Sequence, residues 1–154
     1  MRKASQFRST IESRGLIMSH FKYFFRFFCF ICFVELQPIF TAEPSGPFFL
    51  LESNNITLEW SYDLGGGSFR RIEFSEVTSF PPILILEMDK VGQTPVYLES
   101  DYLGRLQVNV TTTQTSITIL GANRTVDSKD YQFSIVQSGS PTVTSTVRIS
   151  VQCK

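Results

Sequence analysis

Reactive side chains are scarce in this chain, and where they stand limits the chemistry it can do. The single histidine is His20, and the three cysteines are Cys29, Cys32 and Cys153. Cys29-Phe30-Ile31-Cys32 has the CxxC spacing of a dithiol redox motif, which needs a partly exposed thiolate in a βαβ setting. Here the pair lies inside an apolar run, so both read as small apolar residues. Beyond residue 42 only Cys153 offers a soft or imidazole ligand. That excludes Ser/His/Asp and Cys/His nucleophilic sites, and zinc sites built on His or Cys, from residues 43–154. No metal or cofactor is expected. Glu73, Glu76, Asp127 and Asp130 are the carboxylates from which a glycosidase pair would be drawn. They fall on different strands or in a turn beside Arg or Lys, and solvated surface charge explains them better, so a secreted hydrolase is the weak alternative. Three sequons mark chemistry done to the chain: Asn55-Ile56-Thr57, Asn109-Val110-Thr111 and Asn123-Arg124-Thr125 are N-glycosylation acceptors, and together they favour passage through the secretory pathway.

The elements that carry these residues fall into two parts. The chain has 154 residues, enough for one ordinary core plus a targeting segment. Six of the 14 basic residues and two of the 14 acids precede residue 43, so the first part is basic by four charges and the rest acidic by four. A mildly acidic body lacks the positive field that phosphate backbones require, which argues against nucleic acid as a partner. Phe21 to Val34 is aromatic-rich, follows basic residues and precedes Thr41-Ala42, as a signal peptide does. Its uninterrupted apolar part, Phe27 to Val34, is far short of the roughly twenty residues that span a bilayer. Residues 1–42 are therefore expected to be an N-terminal extension and signal peptide removed near Ala42, with translation starting at Met18 or the upstream part an extension of the gene. Residues 43–154 are expected to form one domain, secreted or at the cell surface. The membrane enters only through an uncleaved signal or a region missing beyond Lys154, in which case the chain is an ectodomain fragment of a longer single-pass receptor.

From Pro47 onward the periodicity is two. Ile56, Leu58, Trp60 and Tyr62 alternate with polar residues, as in a strand with one buried face. Phe69 to Val77 follows, with Ile72 and Phe74 inward, and then Ile83 to Leu86, apolar on both parities. Leu106/Val108/Val110, Ile117/Ile119, Tyr131/Phe133/Ile135 and Val147/Ile149/Val151 continue the pattern. Eight or nine short strands in roughly a hundred residues suggest an all-β two-sheet sandwich. A closed barrel would show the same spacing.

Ser116 to Phe133 resembles the E strand, E-F turn and F strand of a V-type immunoglobulin domain. Asp127 and Tyr131 match that family's D-x-G/A-x-Y-x-C; Lys129 replaces the small residue and Phe133 the cysteine. Gly104-Arg105-Leu106 resembles the start of strand D, and Leu58-Glu59-Trp60-Ser61-Tyr62 resembles strand B with Trp60 in place of the first cysteine. The resemblance covers about residues 47–152 and implies an immunoglobulin-like V-type Greek-key sandwich without the usual inter-sheet disulfide, as in multi-domain cell-surface receptors of invertebrates. Trp60 and Phe133 stand 73 positions apart, a normal separation for the two cysteines. Facing each other, two large aromatics would offset much of the roughly 2–5 kcal/mol that such a bridge contributes. The resemblance further implies a salt bridge from Arg105 to Asp127, worth about 0–1 kcal/mol as a surface pair, and a tyrosine corner in which the Tyr131 hydroxyl bonds upstream backbone.

The function implied is an extracellular recognition or adhesion module that binds a protein or a glycan and does no chemistry. Asn55, Asn109 and Asn123 fall on or beside the sheet of strands A, B, E and D, where glycans would shield it. The bare sheet of strands G, F, C and C′ should carry Arg71 and Glu73 from C, Gln132 and Ser134 from F, and Arg148 from G. Leu84 and Leu86 add apolar area unless a neighbouring strand covers them. An apolar patch rimmed by charge marks an interaction site, here for a homophilic or heterophilic protein contact.

Overall fold

The computed structural model describes residues 37–67 and 69–153. The segment expected to direct secretion, with Cys29 and Cys32, lies outside them. Where β-branched and aromatic residues alternate with polar ones the chain forms strands: β1 (Ile39–Ala42), β2 (Phe48–Leu51), β3 (Ile56–Asp63), β4 (Phe69–Glu76), β5 (Ile83–Met88), β6 (Val96–Tyr97), β7 (Leu106–Val110), β8 (Gln114–Ile119), β9 (Asp130–Gln137) and β10 (Val143–Gln152). A 3-10 turn at Ser100–Tyr102 and one helical turn, α1 (Arg124–Asp127), complete the described elements. The strands lie in two sheets, ordered β1-β3-β8-β7 and β2-β10-β9-β4-β5-β6. Two open sheets decide for the sandwich over the barrel. Neighbours run antiparallel except β2, which lies parallel to β10. The chain thus changes sheets between β1 and β2, and Pro44 and Pro47, which lack an N–H for either ladder, stand in that crossing.

β1 bears on the boundary expected at residue 42. Phe40 pairs with Tyr62 across the ladder, and its ring lies 6.0 Å from that of Phe133. A cut after Ala42 would remove the edge strand of the four-stranded sheet together with this contact.

The core is an aromatic column between the sheets. Trp60 of β3 and Phe133 of β9 stack at 4.6 Å and 26°, and both are fully buried, as is Ile72. Trp60 meets Phe74 edge-on at 6.4 Å, and Phe74 stacks on Tyr131 at 5.2 Å. Offset and edge-to-face pairs such as these add roughly 0.5–1.5 kcal/mol each beyond their buried area. The indole Nε1 of Trp60 donates to Ser145 Oγ of β10 at 3.0 Å, so its polar atom is satisfied inside the core. Cys153, the one cysteine among the described residues, is free and exposed.

Tyr131 departs from the expected corner. Its hydroxyl meets not upstream backbone but the hydroxyl of Tyr102, at 3.0 Å, and Tyr102 in turn donates to the Val126 carbonyl at 3.4 Å. The 3-10 turn brings Tyr102 between Tyr131 and the backbone, so the link to α1 is relayed through a second ring. Burial raises both pKa values, that of Tyr102 to about 12, so both hydroxyls stay protonated and able to donate at neutral pH.

Arg105 and Asp127 do pair, but not at the surface. Asp127 is 0% exposed; Arg105 Nη2 reaches its Oδ2 at 2.5 Å, and the backbone N–H of Asn123 donates to the same oxygen at 2.6 Å. Arg105 also donates to the carbonyls of Asp101 and Gly121, each at 3.2 Å. Glu76 is buried as well. Burial alone would raise its pKa, yet Lys129 Nζ at 2.6 Å and Ser79 Oγ at 3.0 Å outweigh that and hold it below the usual carboxylate value. Solvated surface charge therefore describes neither acid, and Lys129, at the position where the family pattern has a small residue, has a partner of its own. Glu76 and Asp127 are each committed to a cation.

Candidate interaction site

The outer face of the six-stranded sheet is built by strand parity. β10 turns Val147, Ile149 and Val151 inward, which leaves Thr146, Arg148 and Ser150 outward. Cross-strand pairing then places Asp130 beside Arg148 and Gln132 beside Thr146. On β4 the inward pair Ile72 and Phe74 leaves Arg71 and Glu73 outward, with Glu73 opposite Ser134 of β9 and Glu87 of β5. Arg71, Glu73, Gln132 and Arg148 thus share one face, with Leu84 opposite Ser75 at its β5 side. Ser134 lies on the same side of β9 but is buried, so it does not add the exposed surface expected of it.

Leu86 does not belong to it. β4 pairs Phe74 with Leu86 and Ser75 with Leu84, so Ile85 is an extra residue on β5. Such a bulge lets consecutive residues turn the same way, and Ile85 and Leu86 are both 0% exposed. Two residues of the apolar run enter the core, and only half-buried Leu84 remains for the face.

The charges on this face are paired with one another, two arginines holding three carboxylates. Arg71 reaches Glu73 at 2.9 Å and Glu87 at 3.2 Å, all three half-buried. Arg148 holds both carboxylate oxygens of Asp130, at 2.7 and 3.0 Å, and this pairing raises the arginine's pKa further. Between and beside the pairs lie apolar groups that reading the sequence did not place: Val136 opposite Arg71, Val96 opposite Glu87, and Phe49 and Leu51 on β2. Phe49 is 66% exposed. Its run, Phe48 to Leu51, has no polar residue to mark parity, so only the pairing to β10 shows which side faces out.

The outer face of the other sheet differs in kind. Thr57, Glu59, Ser61, Gln107, Asn109, Ser116 and Thr118 alternate with the core residues of β3, β7 and β8, and none is apolar; only the edge strand β1 adds an exposed large apolar side chain, Ile39, opposite Asp63. Asn109 is exposed on β7. Asn55 precedes β3 and accepts from the Gly121 N–H at 2.9 Å. Asn123 caps α1, its Oδ1 accepting from the Thr125 N–H at 2.9 Å and the Thr125 hydroxyl at 2.7 Å. Among the described residues no cluster of three metal-ligating side chains occurs, and no helix is long and apolar enough to cross a membrane.

No family model matches the sequence, and no curated protein does. Solved structures match in fold. The structure of murine CRIg aligns over 75% of this chain and 98% of its own, at 16% identity and a TM-score of 0.63. A chain from the structure concerning T cell specificity and activation by the bacterial superantigen toxic shock syndrome toxin-1 aligns over 75% and 99%, at 11% identity and 0.63. The chain has an immunoglobulin-like β-sandwich fold. It shares that fold with 1775 solved chains, a breadth that ties the architecture to no one partner.

Proposed function

We propose that this protein is an extracellular V-type immunoglobulin-like recognition module, without an inter-sheet disulfide, that binds a protein partner through the outer face of its six-stranded sheet. The strand order supports the V-type reading, since β5 and β6 extend the larger sheet beyond β4 as C′ and C″ do in variable domains. The observation that carries the proposal is the contrast between the two outer faces. One mixes exposed apolar side chains with charges already paired to each other, so covering it desolvates no lone ion. The other is polar across β3, β7 and β8, with an exposed large apolar side chain, Ile39, only on its edge strand β1, and it bears or flanks every sequon of the body.

Changing Leu84 and Arg71 together to Asp places uncompensated negative charge in the middle of the proposed face. Self-association measured by sedimentation is expected to weaken at least about tenfold, the effect of roughly 1.4 kcal/mol, with the circular dichroism spectrum unchanged. Thr57→Asp with Gln107→Asp on the opposite face serves as the control. Association that survives the first pair and is lost in the second would place the contact on the wrong sheet.

The mature chain is expected to begin before Ile39, because β1 pairs with β3 and Phe40 packs on Phe133. N-terminal sequencing of secreted protein should return a start between residues 35 and 38. A start at Glu43 would mean that the fold forms without its first strand.

A further inference from the structure

On the outer face of the four-stranded sheet, a depression of about 200 Å³ lies over the buried Trp60 and Thr115. Its rim is Glu59, Ser61, Asn109, Thr111, Gln114 and Ser116. That lining offers a carboxylate, two amides and three hydroxyls, with no cation. It suits a neutral ligand rich in hydroxyl and amide groups, repels an anion, and gives an apolar ligand nothing to cover. The hollow is also smaller than the roughly 300–1000 Å³ of sites that hold free small molecules. A free sugar has too few atoms there to repay the freedom it loses on binding and the desolvation of the rim. A sugar already attached to the rim escapes most of that cost, because a short tether supplies an effective concentration of about millimolar or more.

Asn109 is such an attachment point, and it was singled out on independent grounds as a sequon asparagine. Its side chain is exposed and, among the described residues, hydrogen-bonds to nothing, whereas Asn55 and Asn123 each hold a backbone N–H. We propose that Asn109 carries an N-linked glycan whose first sugar seats in this depression, with Glu59 accepting from, and Gln114 donating to, its hydroxyl and acetamido groups. In the attachment, Asn109 Nδ2 forms a bond to the anomeric carbon of a lipid-linked oligosaccharide. The carbon's bond to the lipid diphosphate breaks, the diphosphate leaves with the electron pair, and Nδ2 gives up one proton. The proposal rests on the secretory routing proposed above. It makes the four-stranded sheet a glycan-covered face by fit as well as by sequon position.

The test uses the full chain secreted from a glycosylating eukaryotic host, once with its own N-terminal segment and once behind an independent secretory leader. Retention of the first form alone overturns the extracellular reading and leaves Asn109 readable in the second. Peptide mass spectrometry should find a glycan on Asn109; a bare Asn109 overturns this proposal whether or not Asn55 and Asn123 are modified. Trimming with an endoglycosidase to a single retained sugar then isolates the seating. The trimmed protein is expected to melt at least about 3 °C above Asn109→Gln, on the scale of one net hydrogen bond in a domain of this size. Glu59→Ala should abolish most of that difference while leaving the melting temperature of the Asn109→Gln protein within about 1 °C. A retained sugar that adds no thermal stability, or a gain that Glu59→Ala does not reduce, overturns the seating.

Discussion

Trp60→Ala and Phe133→Ala are each expected to destabilise the domain by about 3–5 kcal/mol, the cost of deleting a buried large aromatic whose neighbours only partly close the gap. Both rings are fully buried, one on each sheet, and they stack on each other at 4.6 Å. Either truncation therefore takes away the same contact between the layers. Phe133 also touches Phe40 and Tyr62, at 6.0 and 6.5 Å, so its loss loosens β1 as well. Trp60→Phe separates packing from hydrogen bonding. It keeps a ring in the stack but leaves Ser145 Oγ, on a residue only 4% exposed, without its indole donor. A smaller loss of about 1–2 kcal/mol is expected. Urea denaturation of the three variants checks this. Losses below about 1 kcal/mol in both alanine variants would show that the inter-sheet stack does not carry stability.

Arg105→Ala is expected to cost about 3 kcal/mol, several times what a surface pair is worth, because it strands a carboxylate that is 0% exposed. One guanidinium holds the Asp127 carboxylate and two carbonyls, of Asp101 and Gly121, which ties the 3-10 turn, the end of β8 and α1 together. A lysine offers a point charge in place of that fork, so Arg105→Lys should recover only part of the loss. Asp127→Asn removes the buried charge and is expected to cost less than Arg105→Ala, which separates the penalty of an unpaired ion from the value of the contacts. The double variant Arg105→Ala/Asp127→Ala should fall well short of the sum of the single losses. Denaturation midpoints in low and high salt give a second reading, since a pair whose acid is out of contact with water is screened weakly. A loss for Arg105→Ala under about 1 kcal/mol, or one that high salt abolishes, would return the pair to the surface class.

What the sequence determined by itself follows from alternation. A pleated strand turns successive side chains to opposite faces, so Leu58 and Trp60, Ile72 and Phe74, Phe133 and Ile135 are legible as core without knowledge of their partners. By the same logic Arg71, Glu73, Gln132 and Arg148 are legible as one outward set. The Trp60–Phe133 contact and the Arg105–Asp127 pair were legible through resemblance, because the residues that flank them follow a known spacing. Register between distant strands decided the rest. The bulge at Ile85 exists only against β4, and it sends Leu86 inward where alternation alone leaves its side undetermined. β1 pairs along the edge of β3, a pairing that the local sequence of Ile39–Ala42 does not announce. Tyr102 reaches Tyr131 across 29 positions, Glu76 meets Lys129 across 53, and Glu59, Asn109 and Ser116 form one rim from three strands. Burial of Asp127 and Glu76 belongs with these. Whether a charge is solvated depends on what chain closes over it, and no local pattern carries that information.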